Sequence, residues 1–105
     1  MKIEVEKGSG NVYADLGYPN PDEMKIKAGL AMAIARAIQD RGLTQVEAAK
    51  RMNLPQPKVS EMLRGRFRGI SVEKMMACLQ NLGLDVRISI APASRPECAE
   101  ILVVA

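Results

Sequence analysis

The chain has 105 residues, 48% hydrophobic and 26% charged, a balance that suits one globular domain with a small core. Its formal net charge of +3 is unevenly placed: residues 1–35 carry four Lys/Arg against five Asp/Glu, residues 36–68 eight against three, and residues 69–105 three against four. There is no histidine, and the two cysteines, Cys78 and Cys98, have neither metal-ligand spacing nor the density of a secreted disulfide scaffold, so no metal or cofactor is expected.

Residues 2–6 alternate charged and apolar side chains and predict a short strand, which Gly8, Ser9 and Gly10 break. The stretch from Asn11 to Tyr18 has no clear period. A helix start follows, with Asn20 as expected cap, Pro21 at the first helical position, and Asp22 and Glu23 on the positive end of the helix dipole. Met24, Leu30, Ala31, Ile34 and Ile38 recur at helical spacing, and Arg41-Gly42 ends the helix. Thr44 and Glu47 have capping-box spacing and open a second helix, with Ala48, Ala49 and Met52 inward. Asn53-Leu54-Pro55 is a turn. A third helix runs from about Gln56 to Arg64, with Val59, Met62 and Leu63 inward and Pro57 harmless in its first turn. Beyond Gly65 and the loop Arg66-Phe67-Arg68-Gly69, Ser71 caps a fourth helix. Its inner face is Val72, Met75, Met76, Leu79 and Leu82, and Gly83 stops it. The period then changes to two: Val86, Ile88 and Ile90 alternate with Arg87 and Ser89, as in a half-buried strand. Ile101 to Val104 is a second apolar run, expected as a strand or as a tail docked on a partner.

These elements predict a mainly α fold: a small helical bundle with a helix-turn-helix, plus one or two short C-terminal strands. The expected organisation is an N-terminal arm over 1–19, a helix-turn-helix unit over 20–83, and a C-terminal strand and tail over 84–105 that dimerises. Val86, Ile88 and Ile90 are the expected dimer contacts, because an edge strand invites pairing. No apolar run approaches the roughly 20 residues that span a bilayer, and the alternating start is unlike a signal peptide, so the expected place is the cytoplasm.

The basic block at 36–68 suits a polyanion-binding surface as well as a solvated face. Aromatic residues are only Tyr13, Tyr18 and Phe67, too few to stack unpaired bases, which favours duplex DNA over RNA or single strands. Two short helices that cross steeply need a small residue at their contact, which Ala49 supplies. Asn53 tolerates the positive φ of the turn, and Leu54 can plug that turn into the core. With Val59 and Met62 inward, Gln56, Lys58, Ser60, Glu61 and Arg64 face outward on a helix that can enter a major groove end-on. Arg64, Arg66 and Arg68 cluster just after it and suit phosphates. An enzyme is the weakest reading, with no histidine, no glycine-rich phosphate loop and no paired carboxylates on one face.

Thr44-Gln45, Ala48-Ala49, Gln56-Pro57-Lys58-Val59-Ser60 and Arg64-Gly65 resemble the Cro/CI-type (XRE) helix-turn-helix regulators of bacteria. The flanks Ser9-Gly10-Asn11-Val12-Tyr13-Ala14-Asp15-Leu16-Gly17 and Leu63-Arg64-Gly65-Arg66-Phe67-Arg68-Gly69 are similar to a subgroup of HigA-like antitoxins. The resemblance spans roughly residues 9–90. It implies a small helical core of lambda-repressor-like fold, binding to an operator on the nucleoid as a homodimer, and a RelE/HigB-like toxin, a ribosome-dependent RNase, as partner. Carried over by position, Gln45 bonds a phosphate from the start of the second helix, Gln56 and Lys58 approach base edges, Ser60 sits close to the backbone or a base, and Thr44 and Pro57 complete the DNA-binding set. Asn53 replaces the commoner glycine, and Pro55 stands where a capping serine is usual. A stand-alone phage-like repressor without a toxin, and a helix-turn-helix that serves only protein contacts, are the competing readings.

Overall fold

The computed structural model describes residues 2–3, 16–17 and 20–104. Four helices follow one another: α1 (Pro21–Asp40), α2 (Gln45–Met52), α3 (Gln56–Leu63) and α4 (Val72–Asn81). A single 3-10 turn at Pro96–Cys98 precedes the tail, and two-residue strands β1 (Lys2–Ile3) and β2 (Val103–Val104) form an antiparallel pair, Lys2 opposite Val104 and Ile3 opposite Val103. The fold is mainly α, as the hydrophobic periods require.

Local chemistry sets the helix starts. At α2 the Thr44 amide donates to Glu47 Oε1 at 2.9 Å and the Glu47 amide donates to Thr44 Oγ1 at 3.1 Å, the reciprocal box that the spacing predicts. At α4 the Lys74 amide donates to Ser71 Oγ at 3.0 Å. α1 starts otherwise than expected. Asn20 is left-handed (φ 55, ψ 54) and its side chain caps nothing; a capping side chain needs an extended backbone. Pro21 and the acidic pair Asp22 and Glu23 begin this helix without it.

All four helices end the same way. An amide just past the end reaches back three residues to a carbonyl, and the next amide reaches back five: Gly42 to Gln39 and Leu43 to Ile38, Asn53 to Lys50 and Leu54 to Ala49, Gly65 to Met62 and Arg66 to Glu61, Gly83 to Gln80 and Leu84 to Leu79. This is the Schellman closure, which needs one left-handed residue. Asn53 (φ 56) takes that place in the turn between α2 and α3, where the sequence pattern puts a residue tolerant of positive φ. At three of the ends the residue after the turn is a leucine, Leu43, Leu54 or Leu84, packed against the core. At α3 it is Arg66, which is exposed.

The core lies where α1 and α4 pack along each other and α2 and α3 cross them. Its largest wholly buried side chains are Ile34, Met52, Val59, Met62, Met75, Cys78 and Leu82. Among the described residues no buried side-chain nitrogen or oxygen lacks a partner.

Beyond α4 the structure departs from expectation. Val86–Ile90 is not a strand: among the described residues the sheet contains β1 and β2 alone, and no segment bonds to 86–90. Leu84 and Val86 pack on the core, but Ile88 and Ile90 are 76% and 94% exposed. The tail docks on its own chain: Glu100 pairs with Lys25 at 2.8 Å, and Val103 lies against Gly29 of α1. Of the two cysteines, Cys98 is exposed and Cys78 is buried. Of the strand predicted at 2–6, residues 2–3 pair as a strand; the rest, with the glycine break and the 9–15 motif, lies outside the described residues.

Candidate nucleic-acid interface

Burial of Val59 and Met62 fixes the rotation of α3, and the rotation decides which side chains meet solvent. Gln56, Pro57 and Lys58 in its first turn are exposed, as are Glu61 and Arg64. Ser60 is half-buried, so its hydroxyl is less accessible than the outward pattern predicts. Thr44 and Gln45 are exposed at the start of α2, with Thr44 Oγ1 already accepting the Glu47 amide. A shallow groove lined by Val46, Lys50, Asn53, Pro55 and Gln56 runs between α2 and α3. Pro55 precedes α3 and offers no side-chain cap; its carbonyl accepts the Lys58 and Val59 amides at 3.0 and 3.2 Å. The start of α3 is therefore held through the main chain.

Behind α3 the loop alternates. Phe67 and Ile70 are buried, and the Ile70 amide bonds the Phe67 carbonyl at 3.1 Å. Arg66 and Arg68, on either side of Phe67, are exposed. Phe67 is thus an anchor, and the arginines are presented by it. The Lys58 ammonium lies over the same loop: a Cβ built on Gly69 would be 3.6 Å from its Nζ. Lys58, Arg66 and Arg68 border one depression, with Glu61 the acidic residue on its rim. Lys58 therefore belongs with the loop cations rather than ahead of the helix with Gln56.

Two cations escaped the sequence reading. Lys25 and Lys27 of α1 are buried. Lys27 Nζ donates to the Arg68 carbonyl at 3.0 Å and lies 3.9 Å from Glu23. A signal existed, since Lys27 falls on the stripe of Leu30, Ile34 and Ile38, in a register that buries its side chain. Among the described residues no group of three or more His, Cys, Asp or Glu could hold a metal ion, and no helix is long and apolar enough to cross a membrane.

A first helix with one face in the core, a capped second helix, a left-handed turn and a third helix with its polar face outward define a helix-turn-helix DNA-binding domain. The family described as "Helix-turn-helix domain" matches residues 12–91. A solved chain named "Putative XRE Family Transcriptional Regulator" is 39% identical and superposes with a TM-score of 0.75, over 83% of this chain and 99% of that one. None of the curated proteins matches. The chain belongs to the XRE family of helix-turn-helix transcriptional regulators, and its fold is that of a DNA-binding regulator.

Proposed function

We propose that the protein binds a palindromic operator as a homodimer and represses its own operon as the antitoxin of a type II toxin–antitoxin pair. The observation that carries the DNA reading is the solvent-facing first turn of α3 beside the exposed Arg64, Arg66 and Arg68. Gln56 reads a base edge, with Pro57 beside it against an apolar group such as a thymine methyl. Thr44 and Gln45 meet a phosphate across the groove, and the half-buried Ser60 lies near the DNA backbone. Lys58, Arg64, Arg66 and Arg68 bind phosphates. The exposed Ile88 and Ile90, in a segment of alternating apolar residues with Val86, support pairing with the same segment of a second copy, which would cover both isoleucines.

The test is selection of duplexes from a random pool, followed by sedimentation of the complex. Two half-sites about 10 bp apart and two chains per site are expected. A monomer bound one-to-one at tens of micromolar, or no enriched sequence, overturns the reading.

The antitoxin part rests on the flanking motifs at 9–17 and 63–69, which resemble HigA-like chains. It is tested by co-purification from the native host and by expressing the adjacent open reading frame with and without this chain. A RelE/HigB-like toxin that is lethal alone and silent with this chain is expected. No such neighbour, with operator binding intact, leaves the stand-alone repressor. Removing residues 1–16 is expected to weaken toxin binding more than DNA binding.

A further inference from the structure

The side chain of Lys27 is in an unusual place for a charge. Its residue is 4% exposed, on the inner stripe of α1, in register with Leu30 and Ile34. Burying an ammonium group costs several kcal/mol unless partners replace its water. The partners it has are the Arg68 carbonyl at 3.0 Å and, at one helical turn, the Glu23 carboxylate at 3.9 Å. A methionine would fill the same slot without desolvating a charge, so burial alone does not require a lysine. A methionine could not tether the main chain of the loop.

That tether sits at a useful point. The loop from Arg66 to Gly69 is bracketed by the Arg66 amide on the Glu61 carbonyl at 2.8 Å and the Ile70 amide on the Phe67 carbonyl at 3.1 Å. Lys27 grips the carbonyl of Arg68 itself, between those brackets. The same contact joins α1 to the segment that carries Arg66 and Arg68, so the helix that packs the core also sets the height of both guanidinium groups. Lys58 Nζ lies near Gly69 of the same loop.

We infer that Lys27 is a positioning residue for DNA binding: it holds the Arg68 carbonyl so that Arg66 and Arg68 are presented together to the duplex backbone, without touching DNA itself. This deepens the DNA-binding reading above and rests on it.

The test is Lys27→Met, read in two ways. In the DNA-free protein, amide hydrogen exchange should quicken at residues 66–70 and stay unchanged in the centres of α2 and α4. This readout does not depend on DNA. In titrations, Lys27→Met should lower affinity about tenfold on operator and random duplex alike, and flatten the slope of log K against log salt by about one unit. A purely structural lysine would cost the same affinity in any background. The same substitution is therefore also made in the Arg66→Ala, Arg68→Ala protein, where it should cost no further affinity. Unchanged exchange at 66–70, or a full tenfold loss in the background that lacks both arginines, overturns the inference. If the wild-type chain binds no duplex while Lys27→Met still loosens the loop, the tether stands and it is the DNA reading that falls.

Discussion

Gly29 and Val103 touch so closely that a Cβ built on Gly29 would lie 2.6 Å from the Val103 Cβ, with the Val103 methyls at 2.9 and 3.1 Å. The tail crosses α1 at the one residue of that turn without a side chain. Glycine costs a helix interior about 1 kcal/mol relative to alanine, so Gly29→Ala should stabilise α1 by that amount if nothing lay above it. The obstructing atom is a Cβ, fixed to its backbone, and cannot swing aside. Gly29→Ala should therefore displace β2 and speed limited proteolysis after residue 84, and adding Val103→Gly should restore protection. Equal cleavage of Gly29→Ala and wild type would mean that the tail is not seated there.

The capping box at α2 makes a pH prediction. The Thr44 amide, donating to the Glu47 carboxylate, holds its carboxyl below the ordinary value of 4.5, helped by the Thr44 hydroxyl and by Arg51 and Lys50. A lowered folded-state pKa stabilises the fold above the unfolded value, and that stability is lost as pH falls through the folded value. Gln at 47 keeps a box-forming side chain without the charge. The Tm difference between wild type and Glu47→Gln should be largest near neutral pH and close below the carboxylate range. A difference that does not change with pH would rule this out.

Ala49 is buried on the face of α2 that meets α3. Ala49→Leu adds three carbons where the two helices cross, and overpacking of this kind costs about 1–3 kcal/mol. α3 should tilt away, because Val59 and Met62 are already fully buried and cannot retreat. Operator affinity should fall further than Tm alone explains. Circular dichroism melts and binding isotherms on the same samples check this, and wild-type affinity in a destabilised protein would show that the crossing does not set the position of α3.

The two thiols should separate cleanly. Cys98 is exposed, with Arg95 Nη2 3.9 Å from its sulfur, whereas Cys78 is fully buried and burial pushes its thiol pKa up. One thiol per chain should react with an aromatic disulfide reagent in the native protein. The second should appear only at the rate at which the core opens. Two fast thiols would contradict the packing of α4.

What the sequence made legible was chemistry confined to a few neighbouring residues. Thr44 with Glu47, Asn53 in the turn, Ser71 at α4, and the inward faces of α2 to α4 follow from spacing, because each depends on atoms within one helical turn. Asn20 was misread as a cap because its role is set by the incoming backbone, which puts it at φ 55. The alternation at 86–90 predicts a strand that does not form, because a strand is a property of two segments and none of the described residues pairs with this one. Lys27 was missed because its partner, the Arg68 carbonyl, is 41 residues away and has no side-chain signature. The assignment of DNA contacts rests on the rotation of α3, which Val59 and Met62 fix, and it is a proposal that binding data must test.

That proposal has a sharp consequence. Gln56 stands in the first turn of α3, exposed, where a side-chain amide can pair bidentately with adenine in the major groove. Gln56→Ala should cost about 1–3 kcal/mol on the selected operator and little on random duplex. Arg66 and Arg68 project from a loop pinned by Phe67 and Ile70, away from the tip of α3, and meet phosphates in this reading. Replacing either by alanine should weaken all duplexes about equally and flatten the salt slope by about one unit. Lys58, whose ammonium overlies Gly69, should behave like the arginines and not like Gln56, although it lies only two residues along the helix from it. The measurement is a set of titrations on operator and random DNA at several salt concentrations for the four alanine variants. If Gln56→Ala lowers both affinities by the same factor while Arg66→Ala changes base preference, α3 presents a different face to DNA and the assignment is wrong.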